Sequence, residues 1–284
     1  MTIDSTQVSA PTRSRRYAVS TFFALACLIT WLIWLPGIAF SRGLIAWEPP
    51  ASVHMLGSLG PGLAALILLS AEGGPAAVQA WLRRFVRWRV GLRWYVVVAA
   101  PVVMVAGLVA LLSRLSGIAP ALGPDMWLRV LGAVLFNLVL GGPLGEEGGW
   151  RGYALPRLQA NRSPLSASLL LGLVWFVWHA PGLWDPRNPL GQPAVVPVYL
   201  LLVLAMSVLL AWLYNHTQGS LLLAVLLHAT INMGGYAVPL FFPTTPASEL
   251  APYMTLVSLV YFALPILVAL MVVITSARQA GGGK

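Results

Sequence analysis

Residues 141–152 read GGPLGEEGGWRG and follow the apolar run WLRVLGAVLFNLVL at residues 127–140. The run has the composition of a membrane-spanning helix, which needs about 20 mainly apolar residues. Charged side chains inside such a helix are costly and usually face the interior of the helix bundle. The two glutamates Glu146 and Glu147 and the arginine Arg151 therefore indicate a buried polar site.

The composition of the whole chain is that of a membrane protein. It is 58% hydrophobic and 9% charged, with a mean hydropathy of +0.82 over 284 residues, which is too apolar for a soluble domain. We predict an all-α bundle of about eight transmembrane helices in one polytopic domain, residues 17–275, between two disordered cytoplasmic tails, 1–16 and 276–284. The eight predicted spans are 17–40, 52–71, 94–113, 127–147, 165–184, 195–215, 219–239 and 252–275.

The basic residues orient this bundle. With both termini in the cytoplasm, four of the 17 Lys and Arg residues lie outside, namely Arg42, Arg114, Arg129 and Arg187, and the other thirteen lie inside. This distribution follows the positive-inside rule. It also accounts for most of the net charge of +9 without a nucleic-acid partner. The segment WLRRFVRWRVGLRW at residues 81–94 mixes Arg with Trp and Phe, as interfacial segments against anionic lipid do.

Three further polar residues lie inside predicted spans. His179 is in the fifth span, and His228 and Asn232 are in the seventh. A rise of about 1.5 Å per residue places both histidines at mid-membrane depth. The glutamates can join them only if the fourth helix is long and continues past Trp150, and a bend is expected near the Gly142-Pro143 pair.

Helical spacing distinguishes the two glutamates. Glu147 and Arg151 are four residues apart and can form an ion pair on one face, whereas Glu146 is turned about 100° away. We therefore expect Glu147 to be structural and Glu146 to be free for chemistry. Glycines recur at every fourth position, which lets a neighbouring helix approach closely. They are Gly141, Gly145 and Gly149.

Three motifs in three separate spans resemble one known family. EEGGWR at 146–151 is similar to its E-E-x-x-x-R motif, WFVWH at 175–179 to its aromatic-x-x-x-His motif with Trp where Phe is usual, and HATIN at 228–232 to its His-x-x-x-Asn motif. The family is that of the CAAX-processing and bacteriocin-processing intramembrane endopeptidases (CPBP or Abi), which includes the type II CAAX prenyl endopeptidase. The resemblance covers about residues 125–240.

The resemblance implies hydrolysis of a peptide bond within the membrane. The substrate it implies is a membrane-associated protein or peptide, and a prenylated CAAX protein is one candidate. Amide hydrolysis requires an activated water, an oxyanion stabiliser and a proton for the leaving amine. Glu146 is suited to take the proton from water, with His179 orienting that water. His228 and Asn232 can donate to the oxyanion, and Glu147 and Arg151 support the helix.

Zinc is the alternative mechanism. Glu146, His179 and His228 form a two-His, one-Glu set of the kind that holds catalytic zinc, and the family is often described as metalloproteases. There is no H-E-x-x-H sequence, and Asn232, four residues after His228, is a poor zinc ligand and a good oxyanion donor. These features favour glutamate catalysis without a required cofactor, but the spacing leaves zinc open.

Two other classes of function are compatible with buried polar groups. A non-catalytic membrane scaffold, for instance an immunity protein, could keep the fold without the chemistry, but all the expected polar groups are present. A proton-coupled transporter could use buried Glu and His as a relay, but such proteins usually contain inverted repeats, and none is evident. We therefore favour the protease.

Overall fold

The computed structural model describes residues 13–281, and over this range the chain is helical without β-strands. The helices are α1 (Arg13–Ser41), α2 (Ala51–Leu56), α3 (Gly60–Phe85), α4 (Leu92–Ser116), α5 (Met126–Val139), α6 (Pro143–Gly149), α7 (Leu155–Gln159), α8 (Pro164–Trp178), α9 (Ala180–Trp184), α10 (Val196–His216), α11 (Leu221–Asn232), α12 (Ala237–Phe241) and α13 (Ala247–Gly281).

Every predicted span coincides with apolar helix, which confirms the all-α membrane fold. Six helical segments in the described range are long and apolar enough to cross a membrane. They are Val19–Ser41, Gly57–Phe85, Leu92–Ser116, Met126–Gln159, Val196–His216 and Ser248–Thr275. The other two predicted spans correspond to shorter apolar helices, Pro164–Trp178 and Leu221–Tyr236. These two short helices carry His179 at the end of one and His228 within the other.

Three helix boundaries differ from those predicted. α1 begins at Arg13, within the stretch predicted as a tail, and residues 1–12 lie outside the described residues. α13 continues to Gly281, because Ala, Arg and Gln extend a helix readily, and residues 282–284 are again outside the described range. α3 continues to Phe85 rather than ending near residue 71, with a kink at Gly74, whose φ is 59°.

The fourth span is long and interrupted, as predicted. It extends from Met126 to Gln159. α5 ends before Gly142, whose φ of 116° is open to glycine and strained for other residues. α6 then begins at Pro143, whose fixed φ suits the first turn of a helix. A turn of π-helix, Trp150–Ala154, connects α6 to α7, and such turns are frequent at functional sites.

Two of the three predicted glycines permit close packing of the fourth span. A Cβ added at Gly145 would lie 2.6 Å from Leu59 Cα, and one at Gly149 would lie 2.5 Å from the Pro61 backbone. Gly141 instead faces Asn137 of its own chain segment. α6 therefore packs directly against α3 on one side and contacts α11 on the other, so the glutamate pair lies in the middle of the bundle.

Candidate active site

One cavity contains the four side chains that were predicted to be catalytic. It has a volume of about 460 Å³ and is lined by Glu146, His179, His228 and Asn232, together with aromatic and aliphatic side chains. These residues come from α6, from the end of α8 and from α11, which are separated in sequence. The structure therefore assembles the predicted set from three spans, and the catalytic role of each member stays a prediction.

Glu146 is held at the cavity wall by an indole. Its side chain is 5% exposed, and its Oε2 accepts a hydrogen bond of 2.6 Å from Trp175 Nε1. The other oxygen, Oε1, lies directly over Gly142, where a Cβ would overlap it. Gly142 thus serves both the bend in the fourth span and the position of this carboxylate. In the sequence, Trp175 is only the aromatic position of the WFVWH motif, and this hydrogen bond was not predicted.

Glu147 contacts two partners instead of the one predicted. Its Oε1 accepts a hydrogen bond of 2.9 Å from Arg151 Nη1, and both side chains are fully buried, so the predicted ion pair is present. The same oxygen lies 2.8 Å from His228 Nδ1. The Arg151 guanidinium also lies 4.7 Å from the centroid of the Trp175 ring. Glu147 is therefore not only a support for its own helix, because it also orients an imidazole on α11.

One ring nitrogen of His179 is hydrogen-bonded to the backbone, and the other is free of partners within residues 13–281. Its Nδ1 lies 2.8 Å from the Trp175 carbonyl oxygen. Since a carbonyl can only accept, Nδ1 carries a proton, and in the neutral ring Nε2 keeps its lone pair. The ring is surrounded by aromatic groups, with centroid separations of 4.6 Å to Trp178, 5.6 Å to Tyr199 and 6.0 Å to Trp175. The imidazole is thus fixed in orientation as a hydrogen-bond acceptor.

Asn232 is anchored by a residue that the sequence reading missed. Asn137 on α5 is fully buried, and its Nδ2 donates to the Ala229 carbonyl at 2.7 Å. Its Oδ1 accepts from Asn232 Nδ2 at 3.4 Å. Asn137 therefore fixes both the backbone and the side chain of the segment that carries Asn232. The sequence signal that could have identified it is the single amide in the apolar run VLFNLVL, because a buried amide needs a hydrogen-bond partner.

The proposed zinc ligands do not form a preformed metal cluster in the described part of the chain. Within residues 13–281, no group of three His, Cys, Asp or Glu side chains is arranged so that it could hold a metal ion. Trp175 engages only Oε2 of Glu146, and Glu147 engages only Nδ1 of His228, so the other atoms of these groups remain toward the cavity.

Fold and site together define the class of protein as a multi-pass integral membrane protein with a buried Glu, His and Asn site. Residues 127–234 match the family model described as type II CAAX prenyl endopeptidase Rce1-like. The chain is also similar to CAAX prenyl protease 2 of Methanococcus maripaludis, with 31% identity over 115 residues. This similarity covers 35% of the present chain and 38% of the length of that relative.

The matched residues contain all three motifs and nearly coincide with the region in which the resemblance was predicted. The predicted resemblance is thereby confirmed, and over this segment the chain is similar to the CAAX prenyl endopeptidases.

Proposed function

We propose that the protein is an intramembrane endopeptidase that hydrolyses a peptide bond of a membrane-associated protein or peptide. The observation that carries the proposal is the cavity within the helix bundle onto which Glu146, His179, His228 and Asn232 converge. The family match supports a protease, and the name of the archaeal relative makes a prenylated CAAX-type protein one candidate substrate.

Glu146 is the proposed general base. It takes a proton from a water molecule, and the resulting hydroxide attacks the carbonyl carbon of the scissile bond. The acceptor Nε2 of His179 orients this water by accepting its second hydrogen. The Trp175 N–H holds Glu146 Oε2, so that Trp175 is a positioning residue that leaves Oε1 to face the water.

His228 and Asn232 are the proposed oxyanion donors. Attack on the carbonyl produces a tetrahedral intermediate with a negative oxygen, which fixed donors stabilise strongly in a water-poor site. Because Glu147 holds His228 Nδ1, Nε2 is the nitrogen left for the cavity. Nε2 can donate to the oxyanion when the ring carries a proton on both nitrogens, and the Glu147 carboxylate balances the positive charge of that imidazolium. Glu146 then delivers its proton to the amine nitrogen, the C–N bond breaks, and a new carboxylate and a free amine leave.

Cleavage of a defined peptide tests the proposed function. Purified protein in lipid bicelles is incubated with a farnesylated peptide ending in a CAAX sequence and with the unmodified peptide, and products are identified by mass spectrometry. We expect one new C-terminus at a single bond, formed at the same rate after exhaustive chelation, because water activation is assigned to Glu146. Loss of activity in chelator that zinc restores would contradict the metal-independent mechanism. Absence of cleavage in every membrane-anchored peptide would favour a non-catalytic scaffold.

Asn232→Ala is expected to lower kcat by about 10²–10³-fold with little change in KM, the usual cost of removing one oxyanion donor. The control is Asn137→Ala, which leaves the Asn232 amide in place but removes its anchor. That variant should lose thermal stability together with part of kcat, because a fully buried hydrogen-bonded amide is deleted. Steady-state kinetics measure both effects. A parallel rise in KM for Asn232→Ala would indicate a binding role instead.

A further inference from the structure

Among the described residues, two phenols line the cavity, and their hydroxyl groups are used differently. The Tyr261 hydroxyl on α13 donates a hydrogen bond of 3.0 Å to the Ile231 carbonyl on α11, so it is already satisfied within the protein. The Tyr199 hydroxyl on α10 makes no hydrogen bond with any residue that the structure describes. Its oxygen is not sealed by packing, because it is not one of the buried polar atoms that lack a partner in that range. A molecule in the cavity can therefore reach it.

The ring of Tyr199 is held in place beside a residue of the candidate active site. Its centroid lies 5.6 Å from that of His179, and the two rings are nearly perpendicular at 86°. The Phe176 ring lies on it as well, with a centroid separation of 6.1 Å. The phenol is therefore fixed next to the imidazole that is proposed to orient the water.

A peptide that enters this cavity brings backbone groups that need partners. Each of its N–H and C=O groups loses water, and one left unsatisfied in an apolar space is costly. Around Tyr199, the wall formed by α10 is aliphatic, with Leu202, Val203 and Met206. Residues of an extended peptide are about 3.3 Å apart, so the two peptide groups nearest to the scissile bond lie within about 7 Å of it. The separation of Tyr199 from His179 falls within this reach.

Donors are scarcer than acceptors on this side of the site. Glu146 and the Nε2 atom of neutral His179 are acceptors, which can satisfy an N–H group of the peptide. The Trp175 N–H is a donor, but it is bound to Glu146 Oε2. A peptide carbonyl that lies here therefore needs a further donor, and a phenol hydroxyl supplies one.

We propose that Tyr199 is a substrate-binding residue whose hydroxyl donates a hydrogen bond to a backbone carbonyl next to the scissile bond. This inference rests on the proposed peptidase function and deepens it. The contact is made to the backbone, so it positions the peptide whatever its side chains or lipid anchor are. It also explains why a phenol with no partner in the protein lies on an otherwise aliphatic wall.

Peptide affinity tests the hydroxyl directly. Binding of the farnesylated CAAX peptide is measured in the Glu146→Gln background, in which the proposed general base is absent. Tyr199→Phe keeps the ring contacts and removes only the hydroxyl. We expect Kd to rise about 10-fold, because a desolvated carbonyl loses its donor, and Tm to stay unchanged, because the hydroxyl has no described partner to lose. An unchanged Kd, or no measurable binding before the substitution, would overturn the proposal.

Two modified peptides test whether the partner is a backbone carbonyl. In each, one amide flanking the bond that the parent protein cleaves is replaced by an ester, whose carbonyl is a weaker acceptor. For one of the two esters, the effect of Tyr199→Phe on Kd should fall to about 2-fold, as expected for groups that interact directly. Equal effects on all three peptides would overturn the backbone contact.

Tyr261→Phe is the matched control, because it removes a hydroxyl from the same cavity that is bound within the protein. We expect this variant to lower Tm, since the Ile231 carbonyl loses a partner. Any effect on Kd should be the same for the amide and for both esters. A dependence on the ester as large as that of Tyr199→Phe would show that the method does not isolate one hydrogen bond, and would overturn the assignment to Tyr199.

Kinetics with Glu146 intact separate this inference from the function on which it rests. Tyr199→Phe should raise KM about 10-fold with kcat nearly unchanged, the pattern of a contact made equally in the ground state and the transition state. Normal KM beside normal cleavage would defeat the role of Tyr199 and leave the peptidase function standing. Peptide binding that depends on the hydroxyl, without cleavage by the parent protein, would defeat the peptidase function and leave the binding contact standing.

Discussion

Glu146→Gln is expected to yield a folded protein whose cleavage rate is lower by about 10⁴-fold, the upper part of the range for a positioned general base. The carboxamide keeps the shape of the side chain, and its oxygen can still accept from the Trp175 N–H at the place where Oε2 does now. It cannot take a proton from water. The cleavage rate in bicelles measures the effect, and an unchanged Tm shows that the fold is intact.

Glu146→Gln should lower the cleavage rate without lowering Tm, because Glu146 forms no salt bridge with any described residue that the substitution would break. Arg151 pairs with Glu147, and the hydrogen bond received by Glu146 comes from a neutral indole. Replacing the carboxylate by an amide therefore removes a charge that no salt bridge compensates. A large fall in Tm for Glu146→Gln would show that this carboxylate has a structural role that the described contacts do not include.

Glu147→Gln is expected to produce the largest loss of stability among the site variants, about 3–5 kcal/mol, which is the usual cost of removing one partner of a buried ion pair. Both side chains of the pair are fully buried. In the described part of the chain, the Arg151 Nε and Nη2 atoms have no hydrogen-bond partner, so the contact of Nη1 with Glu147 is the principal compensation for that charge. Thermal unfolding in detergent measures the change.

A double variant separates the two roles of Glu147, its ion pair with Arg151 and its contact with His228. Glu147→Gln with Arg151→Met removes both charges, and replacing a buried pair by apolar groups is often neutral or stabilising, so part of the lost Tm should return. The turnover of the double variant should be lower than that of the parent protein, because His228 still lacks the carboxylate that holds its Nδ1. Full recovery of both stability and turnover would mean that Glu147 serves only to neutralise Arg151.

The membrane fold was predictable because it depends on composition and on local periodicity. Apolar runs located the spans, and the four-residue spacing of Glu147 and Arg151 gave their ion pair, since both depend on one helix alone. The bend of the fourth span followed from Gly142 and Pro143. The end of α3 was placed too early because the Gly73-Gly74-Pro75 sequence resembles a terminus, whereas the helix kinks there and continues.

The missed contacts all join different helices. The hydrogen bond of Trp175 to Glu146, the contact of Glu147 with His228 and the pairing of Asn137 with Asn232 depend on how each helix is rotated about its axis. Rotation is set by packing against neighbours, and a single sequence does not specify it. The motifs could therefore name the residues of the site but not their hydrogen-bond partners.

The cleavage rate per folded molecule tests whether Glu146 activates the water and Glu147 organises the site. It is measured side by side, on one substrate, for the parent protein and both Gln variants. We expect Glu146→Gln to be inactive at the parental Tm, and Glu147→Gln to melt at a lower temperature yet retain measurable cleavage. Near-parental cleavage by Glu146→Gln, or a stable and inactive Glu147→Gln beside an unfolded Glu146→Gln, would contradict it.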